Sequence, residues 1–113
     1  MLCPYDNERA QMIMGYNRAK EAGLIPDSAE VKVVRYNGSN MDAVKENIDW
    51  ADTVFVNSEI SAASRFSSNH WLYSNVEDIV DYTHEKGKKS IVMSVDKPYD
   101  VQMYANADAI LAV

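Results

Sequence analysis

The sequence predicts an α/β domain: five mostly parallel strands in a doubly wound, flavodoxin-like sandwich with helices on both faces. Two observations carry that prediction. β-branched apolar runs alternate with segments of 3–4 residue apolar spacing, in the order β-α-β-α-β-α-β-(short α)-β. Parallel strands need long crossovers, and each gap before the fourth strand is long enough for a helix, which implies right-handed βαβ units. A third observation sets the scale. At 113 residues, 47% hydrophobic and 25% charged, the chain can bury one core but not two.

Met1–Tyr5 reads as a short strand whose end is marked by Pro4. Asp6 or Asn7 can cap a helix over 8–22, with Met12, Ile13, Tyr16 and Ala19 as its apolar face. Gly23 supplies its left-handed stop, and Pro26 follows. Val31–Tyr36, "VKVVRY", is the second strand. "SNMD" at 39–42 has capping-box form, and the helix after it turns Met41, Val44 and Ile48 inward. Thr53–Val56 carries no charge and is expected at the centre of the sheet, covered on both faces. "SNVE" at 74–77 repeats the capping-box form, ahead of an inner face of Val76, Ile79, Val80 and Thr83 and a stop at Gly87. Ser90–Val95 is the fourth strand, Val101–Tyr104 a short helical turn and Ala109–Val113 the last strand. The very short first strand and the end on a strand residue give the expectation that 1–113 is one domain excised from a larger protein.

Charge and motifs exclude several functions. A net charge of −6 argues against a phosphate backbone as partner, since that needs a basic face. Lys86, Lys88 and Lys89 form the one basic cluster, and they follow a helix, where cations complement its dipole. No apolar run approaches the ~20 residues of a membrane span. Cys3 is the only cysteine, so no intrachain disulfide or cysteine metal cluster is possible; it reads as a small buried strand residue. There is no G-x-G-x-x-G, no Walker-type loop, no G-x-S-x-G elbow and no metal-ligand spacing, so no cofactor or metal is expected. A phosphoacceptor receiver domain shares the β-α order but needs an Asp where the third strand ends in Asn57, and an acidic pair where Asp6 stands alone.

In such sheets ligands sit at the carboxyl ends of the strands. The most polar of those ends is "NSEISAASRFSSNHW", from Asn57 to Trp71, followed by "DKPYD" at 96–100. If strands three and four pair, one rim gathers Glu59, Arg65, His70, Asp96, Lys97 and Asp100. Each has a plain structural reading as well. Glu59 is an acid/base candidate or a solvated loop carboxylate, Arg65 a sugar- or carboxylate-binding fork or a surface ion pair. His70 is a catalytic base or a structural hydrogen-bonding group, with the second reading preferred, and mid-helix His84 is solvent-facing. Trp71 and Tyr99 suit stacking on a sugar ring, though such residues are more often core.

These stretches also carry a family resemblance. "CPYDNERAQMIMGYNRAKEAGLIPDSAEVKVVRY", "ADTVFVNSEISAASR" and "GKKSIVMSVDKPYDVQMYANADAILAV" together resemble the second, α/β-sandwich domain of family 3 glycoside hydrolases, nearest the β-N-acetylhexosaminidase-like branch. "KPYD" ahead of "NADAILAV" is the most specific part. "SEISAASR" matches a loop that ends in Asp-Arg in relatives: Arg65 falls on the Arg, and Ser64 stands where the Asp is usual. The resemblance implies hydrolysis of terminal β-linked sugars with retention, by an enzyme whose (β/α)8 barrel supplies the nucleophilic Asp. In glucosidase-like members the second domain lends a Glu acid/base from the loop holding Glu59. In acetylglucosaminidase-like members a His–Asp pair on the barrel does that, and Ser64 favours the latter. The expectation is an auxiliary domain, inactive alone, whose partners are the barrel and a carbohydrate, with Glu59, Ser61, Arg65, Asp96, Lys97 and Asp100 facing the cleft. The alternative is a stand-alone flavodoxin-like module that binds a small ligand or a protein.

Overall fold

A computed structural model of the chain describes residues 1–59, 70–95 and 104–112. The order is β1 (Leu2–Cys3), α1 (Asp6–Glu21), β2 (Val34–Arg35), α2 (Met41–Trp50), β3 (Thr53–Ser58), α3 (Trp71–Glu85), β4 (Lys89–Ser94) and β5 (Ala109–Ala112). The strands form one sheet in the order β2-β1-β3-β4-β5, and every pairing is parallel. This is the flavodoxin-like order, with the chain reversing direction across the sheet between β1 and β3.

Side-chain alternation along β3 assigns the two faces. Val54, Val56 and Ser58 point one way, with Leu2 of β1, Val92 of β4 and Ile110 of β5 level with them in the register. They pack against Val44 and Ile48 of α2 and Leu72, Val76, Ile79 and Val80 of α3, and this is the dry core. Phe55 and Asn57 point the other way, toward α1, whose Glu8 side chain is bonded to Asn57. That face is thinner. Phe55, Ile91 and Met93 are half-buried, and Leu111, level with Met93, is 49% exposed.

Several expectations are corrected. β2 is two residues long, not six. The buried stripe of α1 is Glu8 and Met12, with Tyr16 and Ala19 half-buried behind them, while Ile13 is 43% exposed. Neither capping box forms. Ser39 instead bonds through its hydroxyl to Asn37 Oδ1, and Asn40 is the cap residue of α2, its side chain tied to Asn37 N and Arg35 O. α3 starts three residues before Ser74. His70 caps it, its Nδ1 accepting from Leu72 N at 3.2 Å, so "SNVE" lies inside the helix and Ser74 Oγ donates back to Trp71 O. An imidazole nitrogen does here what a serine hydroxyl does at most caps: it satisfies one free N–H of the first turn. The structural reading of His70 therefore holds, and His84 is exposed on the last turn. Val101–Tyr104 lies outside the described residues apart from Tyr104. Its ring is buried and stacked on Tyr73 of α3, with centroids 5.8 Å apart.

Candidate functional site

β3 runs two residues further than its apolar stretch suggests, and this builds the site. Asn57 and Ser58 belong to the strand and are buried, and both face structure rather than solvent. Ser58 Oγ lies 3.1 Å from the Tyr104 hydroxyl. The Asn57 carbonyl accepts from the hydroxyl of Tyr36, a ring with no exposed surface, at the end of β2. Asn57 Nδ2 donates to Glu8 Oε1 at 3.2 Å. The ends of β2 and β3 and the first turn of α1 thus meet at Asn57, at the β1/β3 reversal where doubly wound sheets hold ligands.

Glu8 is the unusual member. A charged side chain only 9% exposed needs partners. Asn57 supplies one, but Glu8 Oε2 and Asn57 Oδ1 are both buried with no hydrogen-bond partner among the described residues. Burial pushes the Glu8 carboxyl up to about 7, against the pull of the Asn57 bond, and the Glu59 carboxylate raises it further. Burial, then the charge of Glu8, pushes the Cys3 thiol up to about 11, so this buried cysteine is a poor nucleophile. Tyr36 is likewise raised well above its ordinary value, first by burial.

Beside this group stands an aromatic cluster. Trp71 is half-buried against the core, edge-on to Tyr5 at 6.5 Å and to Tyr36 at 6.1 Å, and stacked near His70 at 6.0 Å. The main chain passes close over it at Gly38, which adopts φ +90° and donates its N–H to Asn75 Oδ1 at 3.2 Å. Trp71 is thus a packing residue of the rim, as its core reading has it.

Of the residues expected at the cleft, Glu59 is half-buried, immediately beyond β3. Ser61, Arg65, Asp96, Lys97 and Asp100, and Tyr99 with them, lie outside the described residues. β3 and β4 are neighbours in register, Asn57 opposite Met93 and Ser58 opposite Ser94. Val95 N also donates to Ser58 O at 2.9 Å. Glu59 and Val95, the described residues next to 60–69 and 96–103, therefore follow neighbouring strand ends. Sequence reasoning missed Glu8. An acid in a first turn reads as a dipole-complementing surface residue. The available signal was spacing: Glu8, Met12, Tyr16 and Ala19 form the i, i+4, i+8, i+11 stripe, with its polar end at the strand ends.

A cavity of about 660 Å³ opens at the opposite, amino end of the strands, among Tyr16, Ile25, Val31, Trp50, Thr53 and Phe55. Lys32 lies over the Trp50 ring there at 4.3 Å. Among the described residues, no buried polar atom without a hydrogen-bond partner lines it. Among the described residues no group of three or more His, Cys, Asp or Glu could hold a metal, and no helix is long and apolar enough to cross a membrane.

The fold and the converging strand ends define the class: a doubly wound, flavodoxin-like α/β domain with a polar site at the β1/β3 reversal. Comparison with family models, with curated proteins and with solved structures gave no match to this chain.

Proposed function

We propose that this chain is the second, α/β domain of a family 3-type glycoside hydrolase, nearest the β-N-acetylhexosaminidase-like branch. It forms one wall of the cleft in which a terminal β-linked sugar is hydrolysed. The observation that supports this reading best is the register of β3 against β4. β3 and β4 end side by side at Ser58 and Ser94, just ahead of the two segments that carry the resemblance, "SEISAASR" and "DKPYD", as one rim of Glu59, Ser61, Arg65, Asp96, Lys97 and Asp100 requires. The half-covered row of Phe55, Ile91, Met93 and Leu111 is also what a domain needs if it packs against another.

In this reading the domain shapes the site and a (β/α)8 barrel brings the nucleophilic carboxylate. Retention through a covalent intermediate requires that nucleophile beside an acid/base, so the chain by itself lacks the chemistry. Hydrolysis of aryl β-N-acetylglucosaminides and aryl β-glucosides is the test. A polypeptide joining this chain to its barrel should turn them over with retention, and the 113-residue chain alone should not. Turnover by the chain alone contradicts the reading.

A second reading, a stand-alone small-ligand module, is favoured by the Glu8–Asn57 group at the β1/β3 reversal. It requires tight binding of a ligand by the isolated chain, where the glycosidase reading requires weak or no sugar affinity.

A further inference from the structure

We infer that Glu8 and Glu59 form a proton-sharing carboxyl pair at the carboxyl ends of β1 and β3, in which Glu8 holds a proton on Oε2 against the Glu59 carboxylate. Strand geometry comes first. Asn57 and Glu59 are two residues apart at the end of one strand, so their side chains leave on the same face, roughly 6–7 Å apart along the chain. Asn57 points at α1 and bonds Glu8 Oε1, so Glu59 leaves the sheet on the side where Glu8 lies.

The second argument is the unsatisfied oxygen. Glu8 Oε2 is buried, and among the described residues no N–H or hydroxyl reaches it. An ionised carboxylate with one bare buried oxygen is costly. A protonated Oε2 is a donor instead, and an adjacent carboxylate is the acceptor it needs. A proton is also the one ligand that requires no opening to reach a fully covered atom. The raised Glu8 carboxyl, held up by burial and then by the Glu59 carboxylate, agrees with this.

Among the described residues no cation is bonded to Glu8 or Asn57. The titratable groups about the pair are Cys3 on β1, Tyr36 on β2, Tyr5, Asp6 and Arg9 at the start of α1, and Tyr104 beyond Tyr36. Arg35, also on the α1 side, is drawn away to the Pro4 carbonyl at 2.8 Å and to Asp6 at 3.6 Å. On the Asn57 side the second atom of the amide is Oδ1, itself an unpaired acceptor. Two buried acceptors, Glu8 Oε2 and Asn57 Oδ1, thus stand without a donor among the described residues, which favours a protonated carboxyl. Glu8 is thus a positioning residue, acting through Glu59. If Glu59 faces a sugar, as the proposed function has it, Glu8 stands behind it as a buried group that need not touch substrate.

The test is a side-chain carboxyl NMR titration of the intact chain and two variants. It uses neither sugar nor barrel, so its outcome is independent of the glycosidase reading. In the wild type Glu8 should titrate near 7. Glu59→Gln removes the neighbouring charge and offers Oε2 an amide N–H, so the Glu8 midpoint should fall by roughly one pH unit. Asn57→Leu removes the bond that favours the ionised form, so the midpoint should rise. Glu59 is half-buried beyond the strand, so its variant remains a usable probe if Asn57→Leu fails to fold. A wild-type midpoint in the ordinary glutamate range, or a Glu8 midpoint unmoved by Glu59→Gln, overturns the pairing. A purely structural Glu8 gives the second of these results.

Discussion

Glu8→Gln should leave the protein no less stable at pH 4 and make it more stable than the wild type at pH 8, by about 2–3 kcal/mol in urea unfolding. The native Glu8 carboxyl is raised to about 7, while an unfolded glutamate stays near 4.5. Between those values the native state holds a proton that the unfolded state has released, so stability falls as pH rises through the window. Below it both states are protonated, and glutamine is a close neutral substitute. Above it the native protein carries an ionised carboxylate that is only 9% exposed and has one unpaired oxygen. The variant never carries that charge, so its stability should be flatter across the window. Asp78 is raised too, first by burial, but from 3.8 and on exposed surface, and Cys3 acts only toward pH 11. Asp78 is common to the two proteins and cancels, and Cys3, raised in part by Glu8 itself, lies above the window in the wild type. A wild type that gains stability from pH 5 to 8 relative to Glu8→Gln contradicts the assignment.

Gly38→Ala should cost about 2–4 kcal/mol, read as a lower urea midpoint at unchanged slope. Two effects add. The backbone at φ +90° lies in the left-handed half of the map, which a Cβ disfavours. A Cβ there also meets Trp71 Cβ at 3.1 Å and Cγ at 3.3 Å, and Trp71 is wedged between Tyr5, Tyr36 and His70, so the ring has little room to give. Gly23→Ala is the control. Its φ is +75°, with no atom within 4 Å of the added carbon. It should cost about 1 kcal/mol, the backbone part alone. Equal losses at the two positions contradict the close packing of the second strand end on Trp71.

Much of the architecture could be read in the sequence because the signals were local. Val44 and Ile48, and Val76, Ile79, Val80 and Thr83, are buried as their spacing indicates. The uncharged third strand is indeed the central one. The misreadings occur where a tertiary contact overrides a local pattern. "SNMD" and "SNVE" have the composition of capping boxes, yet Asn40 and His70 stand at the caps, because Asn40 is tied to the end of β2 and the Trp71 ring seats the start of α3 over Gly38. Asn57 and Ser58 look like the start of a polar loop, yet the strand continues through them because Ser94 and Tyr104 lie opposite. Glu8 was invisible for the same reason. Its role depends on Asn57, 49 residues away, and no periodicity of α1 reports that contact unless polar residues are counted on the buried stripe. The rim itself was legible as position: Glu59 and Val95 follow paired strand ends, as a parallel β3–β4 arrangement requires.

The central claim is that the carboxyl ends of β1, β2 and β3, not the amino-end cavity, are the functional surface, and that they meet a β-linked sugar weakly in the isolated domain. Backbone amide NMR of the chain, titrated with a β-linked N-acetylglucosamine glycoside at millimolar concentrations, tests it most directly. Weak, fast-exchange shifts at Asn37, Gly38, Glu59 and His70, with Val31, Trp50 and Thr53 unmoved, are the predicted result. Shifts confined to the groove around Trp50 and Thr53 would contradict it, as would a tight complex that leaves the strand-end amides unmoved.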